Sequence, residues 1–181
     1  MRAFRFALIV LLQIERRPSA DADRAELFLR IEVARRIVED GHELVPAWRI
    51  ETPEGAFLIV TPFDTAKPEQ REHALFLISR FMAWKMATSF VFTAEPWLGA
   101  EGENALHIIG VSLHERLALV QRIKRGDDVS FSQPMWLARH HVDDRYVAML
   151  PRGQTEITNE DAAMLARIFG KDGELPAERL G

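Results

Sequence analysis

The segment Ala138–Tyr146, ARHHVDDRY, sets His140, His141, Asp143 and Asp144 within five positions, and imidazole nitrogens with carboxylate oxygens are common donors to divalent metals. The spacing argues against a closed site. A metal needs ligands converging from one side, whereas neighbours on a strand point to opposite faces and neighbours on a helix diverge by about 100°. At most two of the four can face one ion. Asp143 stands where a short helix over 144–150 wants its N-terminal cap, and Asp144 falls in that helix's first turn, where negative charge is favoured. Both aspartates are explained without a metal, and no metal or other cofactor is expected.

A second constellation centres on TAEPWLG, with Glu95 at the end of a strand and Trp97 just after a proline. Strand ends are common places for pockets. If Asp64, which closes the strand before the next helix, faces Glu95, the two carboxylates would hold a divalent cation or act as acid and base. The arrangement would resemble the strand-borne acids of many nucleases, but their Asp/Glu-x-Lys element is missing, because Trp97 occupies the lysine position after Glu95. His107, in ALHIIG, is the third candidate catalytic residue. Trp97 and His114 are the candidate ligand-binding residues. No Gly-x-Ser-x-Gly elbow is present, and the glycines never cluster into a phosphate loop.

These residues need elements to position them. Asp23 with Glu26 reads as a helix cap; Leu27, Phe28, Ile31, Ala34 and Val38 recur at helical spacing, and Gly41 supplies the stop, predicting a helix over 23–40. Strands over 44–51 and 56–62 flank Thr52-Pro53-Glu54-Gly55, a hairpin signal. Pro68 opens a helix to Ala87, with Leu75, Ile78, Met82 and Met86 on one stripe widened by Phe81 and Trp84. A strand over 88–95 follows, so strand, helix and strand make a crossover whose two strands run parallel in one sheet.

Residues 105–112 form a strand, and 113–125 can be read two ways. Ser112 with Glu115 makes a capping box for a helix, while Leu117, Leu119, Gln121 and Ile123 alternate as in a strand. The hairpin turning at His114-Glu115 is preferred, and VSFSQ then adds a third strand. After Pro134 the chain reads as irregular up to the short helix, with RIKR at 122–125 a solvated strand edge. Thr158 with Asp161 caps a last helix carrying Ala162, Leu165 and Phe169 inward.

The expected fold is α+β, a mixed or mainly antiparallel sheet of about five or six strands packed against a long central helix, with an N-terminal and a C-terminal helix. With 181 residues, 48% of them apolar, the chain suits a single domain; 1–22 reads as a peripheral segment and 171–181 as a tail. Arg2 and Arg5 ahead of an apolar run, Phe6 to Leu12, imitate an export signal. Glu15, Arg16 and Arg17 fit that poorly, so a cytoplasmic location is expected, with export the alternative if 1–22 is cleaved. That run is also too short to span a bilayer.

Acidic residues number 27 and basic residues 23, for a net charge of −4, so nucleic acid is not an expected partner; a homodimer through a sheet edge is. The absence of cysteine excludes disulfides, thiol nucleophiles and thiolate metal sites. The reading that asks least of this sequence is a small binding, regulatory or accessory protein without catalytic activity. Its alternative is a divalent-metal-dependent hydrolase using Asp64, Glu95 and His107, with a pocket between the central helix and the sheet.

Overall fold

The computed structural model describes residues 20–42, 44–60, 67–95, 105–126, 128–151 and 156–169. Helix α1 (Ala20–Glu39) starts three residues before the expected Asp23 cap. Glu26 therefore lies well inside the helix, and its carboxylate accepts from Arg30 at 2.8 Å instead of closing a capping box. The C-terminal stop falls where the sequence puts it. Gly41, at φ 77°, donates to the Val38 carbonyl and His42 donates to that of Ile37, the paired bonds that satisfy the last carbonyls of a helix.

Strands β1 (Ala47–Thr52) and β2 (Gly55–Val60) form the expected hairpin. The Thr52 hydroxyl ties its turn by donating to the Gly55 carbonyl and accepting from the Glu54 N–H. Helix α2 (Pro68–Trp84) ends three residues short of Ala87, because Met86 takes φ 52° and Ala87 donates back to Met82. Met86 thus leaves the apolar stripe to which its spacing assigned it and is 62% exposed. Strand β3 (Ser89–Ala94) follows.

The ambiguous stretch is a hairpin, β4 (Ala105–Ser112) and β5 (Arg116–Arg125). Ser112 explains why both readings were open. Its hydroxyl accepts from the N–H groups of His114 and Glu115, a helix-cap pattern used here to close a turn. Strand β6 (Val129–Phe131) pairs with the far end of β5, and β7 (Met135–Leu137) with its near end. The first three residues after Pro134, expected to be irregular, are therefore a strand, too short to show alternation, and the chain is without strand or α-helix from there to α3.

Between β6 and β7, Ser132, Gln133 and Pro134 stand opposite only Gln121 and Arg122, so the two short strands are one edge strand broken by a bulge. Ser132 anchors it: its N–H donates to the Arg122 carbonyl, its hydroxyl accepts from the Arg122 N–H, and its carbonyl accepts from the buried Gln121 amide at 2.6 Å. This corrects the placement of RIKR, since β5 is an interior strand. A 3-10 turn (Arg139–His141), α3 (Asp144–Met149) and α4 (Asn159–Phe169) complete the described chain.

The protein is α+β. Among the described residues all strand pairs are antiparallel in a seven-stranded sheet of order β2-β1-β3-β4-β5-β6, with β7 also on β5. Strands β2 and β3 do run parallel, as a crossover requires, but β1 lies between them. No single helix organises the sheet. On one face, Leu27, Ile31, Ala34 and Val38 of α1 meet Leu106, Ile108, Leu119 and Ile123. On the other, α2, α3 and α4 enclose Trp48, Ile50, Phe90, Phe92, Ile109 and Val111. Strand β4 is buried on both faces for this reason. Among the described residues no helix is long and apolar enough to cross a membrane.

Candidate functional site

The space between α2 and the sheet, where a pocket was expected, is filled. Trp48, Ile78, Phe81, Met82 and Phe92 are wholly buried there, and the Trp48 and Phe92 rings lie 4.2 Å apart. The candidate residues are dispersed around this core. Glu95, one residue beyond β3, accepts from the Arg125 guanidinium at the end of β5, so it is a paired carboxylate and not a solvated one. His107 is half-buried on β4, opposite Ala94 and Val120, on the side of Ile109 and Val111. Arg125 shares the other side with Leu119 and Ile123, so the structure does not bring Glu95 and His107 together. Asp64 and Trp97 lie outside the described residues.

The two aspartates of ARHHVDDRY take structural roles. Asp143 caps α3 by accepting the Arg145 N–H at 2.8 Å and also bonds the Arg145 guanidinium, which holds its carboxyl below the usual aspartate range. Asp144 pairs with Arg116. His140 and His141 are exposed on the 3-10 turn with ring centroids 4.1 Å apart. Among the described residues no group of three histidine, aspartate or glutamate side chains converges as a metal would require. Tyr146, which α3 carries into the core, has its phenol pushed up by burial and by the nearby Asp143.

His114, by contrast, lines a groove of about 480 Å³ with Arg24, Glu115, Arg116, Leu117, Trp136, Leu137 and Arg139. Its walls come from α1, the β4–β5 turn, β7 and the 3-10 turn. Phe28 and Trp136 meet edge to face at 5.3 Å, and the Arg24 guanidinium lies 5.8 Å from the centre of the Trp136 ring. Leu113 and Met135, next to the lining in sequence, are each more than half exposed. Arg116 is held by Asp144. Among the described residues neither Arg24 nor Arg139 has an ion-pair partner, so the groove offers two guanidinium groups without a carboxylate, that of Arg24 lying over the Trp136 ring.

Comparison with protein-family models, with characterised proteins and with solved structures returned no match. The site therefore rests on its own geometry. Sequence reasoning found His114 but missed Arg24, Phe28, Arg116, Trp136 and Arg139. Phe28 was placed on the inward stripe, yet it is 42% exposed, because only Leu27, Ile31, Ala34 and Val38 face the sheet. The readable signal was Arg24 with Phe28, one helical turn apart and beside that stripe.

Proposed function

We propose that the protein is a binding module without catalytic activity, and that its site is the groove between α1, the β4–β5 turn and β7. The partner is an acidic segment bearing apolar side chains. One observation carries this reading: two arginines that have no carboxylate partner among the described residues flank the partly exposed Phe28–Trp136 pair in an open groove. Guanidinium groups recognise carboxylates through paired N–H donors, and Trp and Arg are the residues most often dominant in binding surfaces. Openness favours an extended segment over an enclosed small molecule, which a pocket would surround on most sides. The hydrolase alternative needs Glu95 as a free carboxylate, and the Arg125 pairing counts against it.

The test is fluorescence anisotropy with a fluorescein-labelled peptide of alternating glutamate and leucine. Binding is expected, weakened at least about tenfold by Arg139→Glu or Trp136→Ala, with thermal unfolding of the Arg139 variant unchanged. Oligothymidylate tests the competing class of partner, since an arginine-aromatic surface also stacks bases. Tighter binding of the oligonucleotide, or peptide binding indifferent to both substitutions, overturns the proposal. The expected cytoplasmic location belongs to the same reading and is supported by the charges at Glu15, Arg16 and Arg17.

A further inference from the structure

The two edges of the sheet differ in how they are finished. On the β5 side the edge is two three-residue strands separated by a bulge that contains Pro134. Short strands, bulges and proline are among the devices by which sheets avoid pairing with other sheets. Strand β2, at the opposite end, has none of them. It reads GAFLIV, without charge or proline, and among the described residues it has a neighbouring strand only in β1.

The ladder also fixes which backbone groups β2 offers. The Glu51 carbonyl accepts from the Thr88 N–H on the β3 side, away from β2. Antiparallel strands alternate the direction of their backbone groups, so Trp48, Ile50 and Thr52 bond to Ile59, Phe57 and Gly55. Ala56, Leu58 and Val60 point their N–H and carbonyl groups outward.

We infer that a second copy of this chain pairs with β2 across a two-fold axis through Leu58, joining the two sheets into one. A two-fold normal to the sheet keeps each face on its own side, so facing residues must have the same parity and one residue lies on the axis. With Leu58 there, it faces Leu58 of the partner subunit, and Ala56 faces the partner's Val60. Every outward N–H and carbonyl of the three residues is then paired. Self-pairing sets each residue against its own kind or a near neighbour, which for a charged strand means repulsion; β2 carries no charge to repel. This pairing is independent of the groove, which lies at the other end of the sheet.

The chain has no cysteine, so a single introduced thiol reports the register cleanly. Facing residues at a hydrogen-bonded antiparallel pair have Cα atoms about 5.5 Å apart, within disulfide range. In the full chain, Leu58→Cys is expected to give a covalent dimer on mild oxidation, Ala56→Cys to give none, and the Ala56→Cys/Val60→Cys double variant to restore it. Sedimentation of the unmodified protein should show twice the 20.7 kDa chain mass, shifting to the single mass in Ala56→Lys, whose site is exposed. A single-mass species over the whole dilution series, as when another part of the same chain covers β2, overturns the proposal. So does cross-linking of equal yield at 56 and 58.

Discussion

The sheet's two faces solve the same burial problem differently. Among the described residues one is covered by a single helix, packed so closely that a Cβ on Gly110 would stand 2.9 Å from a Leu27 methyl. The other is covered by three helices around large rings: Trp48 lies 5.4 Å from Phe90, 4.2 Å from Phe92 and 6.2 Å from Tyr146, and Phe81 meets Phe57 and Phe169 edge to face. Aliphatic side chains permit a close approach, and a glycine on the strand permits a closer one. Rings hold the helices farther off and need several elements to enclose them. The α1 face therefore depends on fit, and the ring face on volume.

The largest effect is expected where volume is removed from the ring face. Trp48→Ala should lower unfolding free energy by about 3–5 kcal/mol in urea titration, the usual loss for a buried aromatic. A loss under about 1 kcal/mol would mean that the helices close over the gap, and the contrast between the faces would fail. On the α1 face the sensitive change is an addition. Gly110→Val should cost about 1–3 kcal/mol by overpacking, and Leu27→Ala in the same chain should relieve part of that cost. Strict additivity of the two changes would show that α1 does not press on Gly110.

A smaller effect concerns how the ring face is fastened. Thr158 and Asp161 cap α4 reciprocally, each side chain accepting the other's backbone N–H, and Asp161 also takes a 2.6 Å bond from Arg80 of α2. Thr158→Ala should cost about 1 kcal/mol. The bonds from Thr158, aided by Arg80, hold the Asp161 carboxyl below the ordinary aspartate range. A carboxyl whose folded pKa is depressed contributes stability above its unfolded value, about 3.9, and loses it as pH falls through the folded one. Acid unfolding of Asp161→Asn should accordingly have a shallower pH dependence below about pH 4 than the parent.

The smallest effect separates the two helix ends. Helices α1 and α2 close with the same pair of backbone bonds, but the left-handed position holds Gly41 in one and Met86 in the other. Met86→Gly removes a left-handed penalty of about 1–2 kcal/mol and adds about 0.4–1 kcal/mol of unfolded-state entropy. A net gain near 0.5 kcal/mol, seen as a slightly higher urea midpoint, is expected. A loss would show that the exposed Met86 side chain contributes more than its backbone costs.

Much of this fold was legible because its signals are local. The α1 stripe, the Thr52–Gly55 turn, the caps at Asp143 and Thr158 and the alternation of β3 are each decided by residues within a few positions. Among the described residues the sheet is all antiparallel, with seven strands where five or six were expected, because β7 spans only three residues and exists through its pairing with β5. The end of α2 was misread because a methionine, and not a glycine, takes the left-handed position. The groove was illegible for another reason. Arg24, His114, Trp136 and Arg139 come from four separate elements, and only the packing of α1 beside β7 sets them around one space. Glu95 was read without its partner because Arg125 lies 30 residues away.

The crossover that places β1 between β2 and β3 has a kinetic meaning. Hairpin β1–β2 and the meander from β3 onward each pair neighbours in sequence, so both can form by closing short loops. Only the β1–β3 ladder joins strands separated by the whole of α2. Closing that span costs more loop entropy than closing either hairpin, so this ladder is expected to be the last part of the sheet to form. The line between Trp48 and Phe92 is then a seam through the middle of the molecule. Because Trp48 and Phe92 are wholly buried there, amide protons along it are expected to exchange together and only when the whole core opens.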